Sequence, residues 1–134
     1  MTDASAVPAA PVAPAAILQA TALTVPLPHE ALADEQVVSG RPTTAAAELG
    51  TVGEVEFGLW EITPGVSTDV ETDEVFVVLS GRATVEYSDG DGAHTLVLEP
   101  GTIGRLGEGL HTTWTVTETL RKVYLLGAYA PADA

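Results

Sequence analysis

The chain has 134 residues, enough for one domain with a hydrophobic core but not for a second independent domain. It contains no cysteine, which excludes disulfides and thiolate-held zinc or iron–sulfur sites and fits a reducing cytoplasm. The formal net charge of -14 repels nucleic-acid phosphates and anionic lipids, so the charge favours a small cationic or neutral ligand.

The basic residues are few and scattered. Only Arg121 and Lys122 are adjacent, so the sequence shows no basic patch of the kind that binds nucleic acid. No Lys or Arg precedes Arg41, so the charged start of a secretory signal peptide is missing, and no apolar run approaches the roughly 20 residues of a membrane-spanning helix. We therefore expect a cytoplasmic protein that binds neither nucleic acid nor a membrane.

The N-terminal part of the chain changes composition twice. Residues 1–16 are rich in Ala and Pro and predict a disordered tail. Residues 17–52 mix apolar residues with prolines and predict an arm that packs on the main domain. Within this arm, we expect one short helical turn from Thr44 to Leu49.

From residue 53 to residue 130 the pattern predicts an all-β domain. Short runs of alternating apolar and polar residues are separated by turn residues at intervals of about ten, which is typical of an antiparallel sandwich or barrel. The segment Asp89-Gly90-Asp91-Gly92 is typical of a hairpin turn. The predicted strands are EVEFGLWEIT (54–63), EVFVVLS (74–80), RATVEYS (82–88), HTLVLE (94–99), LHTTWTVTE (110–118) and RKVYLLGAY (121–129).

Two segments carry a resemblance to a known family. Within residues 65–81, Glu74 and Gly81 keep a Glu-x6-Gly spacing, and further along Pro100-Gly101 is followed by later glycines. These motifs resemble the paired motifs of the cupin superfamily, and in particular its DUF861 type, which includes ureidoglycine aminohydrolase-like and ethanolamine-utilisation-type proteins. The resemblance implies a small antiparallel double-stranded β-helix, or jelly-roll barrel. We expect Gly81 to allow a tight reversal between its flanking strands, and Pro100-Gly101 to form another turn.

The metal ligands usual in that family are missing from this chain. Metal-binding cupins carry a His-x-His pair three or four residues before the glutamate and a further histidine in the second motif, and these imidazoles hold a transition metal ion. We therefore expect no histidine-held metal ion and no other cofactor. The corresponding positions here are Thr68 and Val70, or Ser67 and Asp69, for the pair, and Thr112 for the further histidine.

His111 lies next to the expected position but should point away from the barrel interior. Side chains alternate between two faces along a strand, which groups Thr112 with Trp114 and places His111 on the other face. Only a bulge would reverse this order. His29 and His94 are expected at the surface.

Four carboxylates, Asp69, Glu71, Asp73 and Glu74, precede or begin one strand and leave several roles open. They can hold a hard divalent cation through oxygen atoms, or one can act as a general base whose pKa its neighbours raise. Asp69 and Asp73 are also typical of a solvated acidic loop. Alternation places Glu74 on the face of Phe76, inside the barrel, where a carboxylate must be paired, hydrogen-bonded or protonated. Glu74 is therefore the candidate catalytic residue.

The other candidate ligand contacts are aromatic or polar. Trp60 and Trp114 offer wide aromatic faces and an N–H donor to a flat or cationic molecule, although packing in the core explains them equally well. Arg105 and Tyr124 either complete a polar lining or pair with surface carboxylates. The predicted ligand-binding set is Trp60, Asp69, Glu71, Arg105, Thr112, Trp114 and Tyr124.

Three functions remain open from the sequence. The first is a module that binds a small polar metabolite in an acidic barrel pocket without a histidine-held metal ion. The second is an enzyme that uses Glu74 as acid or base on an amine, amide or ureido compound, as the resemblance implies. The third is a structural or interaction domain with a filled pocket. We also expect a homodimer, because exposed edge strands need covering and the arm could pair across an interface.

Overall fold

The fold is a curled antiparallel β-structure, which confirms the predicted all-β class. A computed structural model describes residues 19–127. The predicted tail at residues 1–16 and the last predicted barrel residues, 128–130, lie outside the described residues. The described part contains a short 3-10 turn at Asp34–Gln36 and nine strands: β1 (Glu30–Ala31), β2 (Val37–Gly40), β3 (Thr43–Val52), β4 (Val55–Ile62), β5 (Gly65–Val70), β6 (Glu74–Asp89), β7 (Gly92–Leu98), β8 (Ile103–Leu106) and β9 (His111–Leu126).

Two long strands, β6 and β9, hold the barrel together because each belongs to both of its sheets. The C-terminal half of β9 pairs with β4, and its N-terminal half pairs with β5. Strand β6 pairs with β9 along both halves, with β8 at its start and with β7 at its end. One sheet therefore has the order β1-β3-β4-β9-β6-β8, and the other has the order β2-β5-β9-β6-β7.

Strand β6 is continuous, so the tight reversal predicted at Gly81 is wrong. The strand shifts register against β9 between Val78 and Ala83, and Gly81 lies inside this stretch with a φ of 94°. Because a bulge inserts extra residues into one strand, the inward face changes from even-numbered residues such as Val78 to odd-numbered residues such as Val85. Glycine is required here because a Cβ atom would lie 2.1 Å from the carbonyl oxygen of Thr119.

Strand β9 is also continuous, where the sequence predicts two strands. Its even-numbered residues point inward, so Thr112, Trp114 and Val116 are buried whereas His111 is exposed. The alternation predicted for this strand is therefore confirmed, and the imidazole of His111 stays outside the barrel.

The two other predicted turns, at Asp89–Gly92 and at Pro100-Gly101, are confirmed. Asp89 pairs with Gly92 across the β6–β7 hairpin. Gly101 has a φ of 92° in the turn between β7 and β8. In each turn a glycine, Gly92 or Gly101, has a positive φ, which residues with a Cβ atom rarely adopt.

The helical turn predicted from Thr44 to Leu49 is wrong, because this segment belongs to β3. Ala45, Ala46 and Ala47 pair with residues of β4, so the backbone finds its hydrogen-bond partners in the sheet. The helix-forming tendency of alanine is weak compared with a full row of ladder hydrogen bonds and the burial of Ala45.

A network of charged hydrogen bonds ties the segment before β2 to the outside of the barrel. Arg121 Nε donates to Glu61 Oε2 over 2.8 Å, and Arg121 Nη1 donates to the carbonyl oxygen of Ala22 over 2.8 Å. His29 Nε2 lies 2.7 Å from Glu61 Oε1. Burial raises the pKa of Glu61, but the hydrogen bonds from Arg121 and His29 outweigh it, and the pKa is lowered overall.

The core lies between the two sheets. It contains the inward-facing side chains Trp60, Ile62, Phe76, Val78, Ala83, Val85, Leu98, Leu106, Trp114, Val116, Leu120 and Tyr124. No helix among the described residues is long and apolar enough to cross a membrane.

Candidate functional site

Glu71 is a buried carboxylate at one end of the barrel. It directly follows β5, in which odd-numbered residues such as Ser67 point inward. Thr112 Oγ1 donates to Glu71 Oε2 over 2.6 Å, and Trp114 Nε1 donates to the same oxygen over 3.0 Å. Because both donors come from β9, the fold fixes the orientation of this carboxylate.

An open cleft of about 490 Å³ lies at the rim of the barrel, where β5 ends and β9 begins. Its volume falls in the range of small-molecule sites in proteins. Thr112 joins this rim cleft to the interior, because its side chain both lines the cleft and donates to Glu71. Among the described residues, the rim cleft is lined by Gln36, Thr68, Asp69, Val70, His111, Thr112 and Thr113.

Asp69 brings a second carboxylate to the rim cleft. Burial, followed by the neighbouring negative charge of Glu71, raises the pKa of Asp69 above its ordinary value of 3.8. A carboxylate that is partly removed from water gains more from a nearby cation than an exposed one does. The end of β5 therefore concentrates negative charge in a recess large enough for a small molecule.

A small cavity of about 20 Å³ adjoins the rim cleft, between the segment around the 3-10 turn and the barrel. It shares Gln36 and Asp69 with the rim cleft and is also lined by Trp60. Trp60 Nε1 is buried and has no hydrogen-bond partner among residues 19–127. The cavity is large enough for one water molecule or one ligand atom that accepts a hydrogen bond from this indole.

Glu74, the candidate catalytic residue, lies deep in the barrel in an ion pair with Lys122. Lys122 Nζ lies 2.7 Å from Glu74 Oε2, and the two side chains are 2% and 0% exposed. The other carboxylate oxygen, Oε1, has no hydrogen-bond partner among the described residues. Burial raises the pKa of Glu74, and the charge of Glu71 raises it further, while the Lys122 ammonium opposes both effects.

Aromatic rings surround the ammonium of Lys122. Its Nζ lies 4.4 Å from the ring centroid of Trp60, 4.6 Å from that of Phe76 and 5.1 Å from that of Trp114. The two tryptophan rings are in contact, with centroids 5.5 Å apart. Each distance falls within the range in which a ring face attracts a cation. We call Trp60, Phe76, Trp114 and Glu74 the ammonium cage.

The remaining predicted site residues lie away from the rim cleft. Tyr124 is buried in the core, and its hydroxyl donates to Glu56 Oε2 over 2.8 Å. Burial, followed by this hydrogen bond to a carboxylate, raises the pKa of Tyr124. Arg105 is exposed on β8 and lies 3.6 Å from Asp73. The structure thus brings Asp69, Glu71 and Thr112 together and separates Arg105 from them.

The residues inside the barrel do not fit the transition metal that many barrels of this fold hold. Both His29 and His94 bond to carboxylates on the outside, and His111 is exposed. Among the described residues, no group of three or more histidine, aspartate or glutamate side chains is placed to hold a metal ion. The interior instead contains the ammonium of Lys122, which would repel a divalent cation.

Lys122 and Gln36 were not predicted from the sequence as site residues, and His111 was predicted only to point away from the interior. Lys122 has the same even parity on β9 as Thr112, so the alternation that placed Thr112 inside the barrel also indicates Lys122. His111 does point away from the interior, as predicted, but its side chain borders the rim cleft. Gln36 reaches the rim cleft from the 3-10 turn before β2, which no strand pattern reveals.

Comparisons with known proteins identify the same architecture. Residues 49–124 match the family model of the EutQ-like cupin domain. No curated protein sequence matches the chain significantly.

Solved structures support the same fold. A DUF861-family protein of unknown function from Pseudomonas syringae pv. tomato has a TM-score of 0.61 at 21% identity, over 77% of this chain and 45% of that one. A protein of unknown function from Rhizobium leguminosarum has a TM-score of 0.56 at 26% identity, over 64% of this chain and 82% of that one. A putative ethanolamine utilization protein Q from Salmonella typhimurium has a TM-score of 0.52 at 12% identity, over 77% of this chain and 96% of that one.

Proposed function

This chain belongs to the EutQ-like cupin family, and we propose that it binds a small polar metabolite with a cationic group in the acidic cleft at the rim of its barrel. The observation that carries this proposal is the placement of two carboxylates. Glu71 is held by Thr112 and Trp114, and Asp69 lines the rim cleft beside it. A small ligand with an ammonium group complements this arrangement, because a desolvated carboxylate gains from a cation.

Polar side chains around the carboxylates supply further contacts. The hydroxyls of Thr68 and Thr113 and the imidazole of His111 line the rim cleft and can bond to hydroxyl, amide or ureido groups. The unpartnered Nε1 of Trp60 offers one donor to a ligand acceptor that enters the adjoining small cavity. The proposed ligand therefore combines an ammonium group with at least one hydrogen-bond acceptor.

The rim cleft, and not the region around Glu74, is the site that we propose for binding. Glu74 has an exposed side-chain fraction of 0% and pairs with Lys122, so a ligand in the rim cleft does not reach it without rearrangement of the barrel. The placement of Glu74 in the interior supports a role in stabilising the fold more than a role as acid or base.

Thermal-shift and calorimetric titrations test the proposal. The probes are primary amines, ureides and carboxylates, with ethanolamine included because a structural neighbour is named as a putative ethanolamine utilization protein. We expect a ligand with an ammonium group to bind, and Asp69→Asn to weaken its binding about tenfold, the loss that follows from one charge-assisted hydrogen bond. Asp91→Asn, which removes the same charge from the exposed β6–β7 turn, is the matched control and should leave binding unchanged. Equal weakening in both variants would reject the rim cleft as the site.

We also propose that the protein forms a homodimer through the outer face of its larger sheet. Val75 and Leu125 are partners in register on β6 and β9, and Ile103 on β8 is the partner of Val77, two residues beyond Val75 on the same face of β6. All three side chains are exposed, with Ile103 at 73%. A second copy that covers these apolar side chains would remove them from water. The molar mass from light scattering at micromolar concentration tests this, and a Val75→Lys variant should shift a dimer toward monomer.

A further inference from the structure

The interior of the barrel contains a cation that belongs to the chain itself. Lys122 is the only lysine in the sequence, and it lies on β9 directly opposite Trp60 on β4 and Val78 on β6. Its ammonium is enclosed by the carboxylate of Glu74 and by the three rings of the ammonium cage. With a side chain only 2% exposed, this charge is removed from bulk water.

The chemistry of the ammonium cage selects for one kind of cation. Ring faces attract an ammonium group through their quadrupoles, and a single carboxylate balances a single positive charge. A transition metal ion instead needs several lone-pair donors such as imidazole nitrogens, which ring faces do not supply. The ammonium cage is therefore built for a monovalent ammonium group and not for a divalent metal ion.

We propose that the barrel interior is an ammonium receptor which the chain fills with its own Lys122, in place of a metal ion. A small alkylammonium ion, and not a divalent metal ion, should then occupy the ammonium cage when the lysine side chain is shortened. This inference concerns the closed interior and does not depend on the ligand proposed for the rim cleft.

Chemical rescue of Lys122→Ala is the first test. The n-propylammonium ion reproduces the atoms from Cγ to Nζ that this substitution removes. We expect Lys122→Ala to lower the Tm by at least about 10 °C, and millimolar n-propylammonium to recover a large part of that loss. The neutral analogue 1-propanol, Mn²⁺ and Ni²⁺ should not stabilise the variant.

Arg121→Ala is the matched control for the rescue. It removes one positive charge from the adjacent residue, but the Arg121 side chain is on the outer face, where it donates to Glu61. The rim cleft is the same in all three proteins, so any rise in Tm that n-propylammonium causes by binding there should be equal in Arg121→Ala and in the unaltered protein. We expect the rise in the Tm of Lys122→Ala to exceed this common rise several-fold. An equal rise in all three proteins, or rescue of Lys122→Ala by 1-propanol to the same extent, would reject the proposal.

A second test uses the unaltered protein and remains valid if Lys122→Ala does not fold. Labelling with ¹³C,¹⁵N-lysine gives one set of signals, because the chain has one lysine. In the ammonium cage, the Cε protons should be shifted upfield by the rings, the Nζ protons should exchange slowly with water, and amine-acylating reagents should not modify Lys122 until the protein is denatured. Random-coil shifts with rapid acylation, or one equivalent of tightly bound Mn, Fe, Ni or Zn in the purified protein, would overturn the proposal.

Discussion

Trp60 and Lys122 are direct partners in register across β4 and β9, and the indole ring lies 4.4 Å from the lysine ammonium. The same ammonium lies 2.7 Å from Glu74 on β6, so one cation connects three strands of the larger sheet. The buried charge pair and its aromatic surroundings make the stability of the barrel depend on a polar contact at its centre.

Removing only the positive partner of this pair should destabilise the protein strongly. Lys122→Met leaves Glu74 buried without a counter-charge, and we expect the free energy of unfolding to fall by about 3–5 kcal/mol. The double variant Lys122→Met/Glu74→Gln replaces both charges by neutral side chains of similar volume and should recover most of this loss. Urea denaturation of the three proteins measures both effects, and a double variant as unstable as the single one would contradict this account.

The hydroxyl of Thr112 should stabilise the buried carboxylate of Glu71. Thr112→Val keeps the shape of the side chain but removes the donor 2.6 Å from Glu71 Oε2. We expect this change to lower the free energy of unfolding by about 1–3 kcal/mol. Thr113→Val is the matched control, because its side chain is on the other face of β9. Chemical denaturation of both variants should show a loss for Thr112→Val only, and equal losses would mean that the Glu71 contact contributes little.

Binding at the rim cleft should weaken in acid because Asp69 must be ionised to attract a cation. Its pKa is raised above 3.8 by burial and by Glu71, so the affinity for an ammonium ligand should fall as the pH decreases through this raised value. Calorimetric titrations from pH 7 to pH 4 measure the effect. Asp69→Asn should bind more weakly but with a flatter pH dependence, and an unchanged pH profile would assign the titration to another group.

The same pKa shift predicts how Asp69 affects stability. Because the folded-state pKa is raised, the contribution of Asp69 to stability is present below its unfolded pKa and is lost as the pH rises through the folded-state pKa. At neutral pH, Asp69→Asn should therefore unfold at a slightly higher urea concentration than the unaltered protein. A stability loss at pH 7 together with a gain at pH 3 would show that the sign is wrong.

Gly81 should tolerate no side chain. Its φ of 94° disfavours residues with a Cβ atom, and that atom would lie 2.1 Å from the carbonyl oxygen of Thr119. We expect Gly81→Ala to lower the free energy of unfolding by more than about 3 kcal/mol, because the strained φ and the clash with the backbone act together. Gly107→Ala is the control, because its nearest contact would be the Arg105 side chain at 3.9 Å. Comparable Tm values for the two variants would contradict the role of Gly81 in the bulge.

The fold could be predicted from alternation and turn residues, because both are local in sequence. The inward face of β9 at Thr112 and Trp114 and the β6–β7 hairpin turn followed directly from such patterns. The strand break expected near Glu118 was wrong, since β9 continues from His111 to Leu126. The break expected near Gly81 was wrong because a glycine inside a bulge and a glycine inside a reversal have the same local sequence. Long-range pairing with β9 decides between the two cases.

The candidate site was predicted only in part, for a physical reason. Local alternation placed Glu74 inside the barrel, and the need for a charge partner followed from its burial. The partner itself, Lys122, is 48 residues away in the sequence, and only the register of β6 against β9 brings the two side chains together. For Arg105 the sequence left two alternatives open, a polar lining and a pairing with a surface carboxylate. The structure has the second, because Arg105 lies 3.6 Å from Asp73.

The membership of β6 and β9 in both sheets has a consequence for how the molecule unfolds. If either strand detaches, each sheet loses an interior member, so neither half of the barrel can persist without the other. Denaturation should therefore follow a single all-or-none transition, with coincident curves for tryptophan fluorescence and far-UV circular dichroism. Amide protons along both strands should exchange only through global opening, at rates that report the full free energy of unfolding.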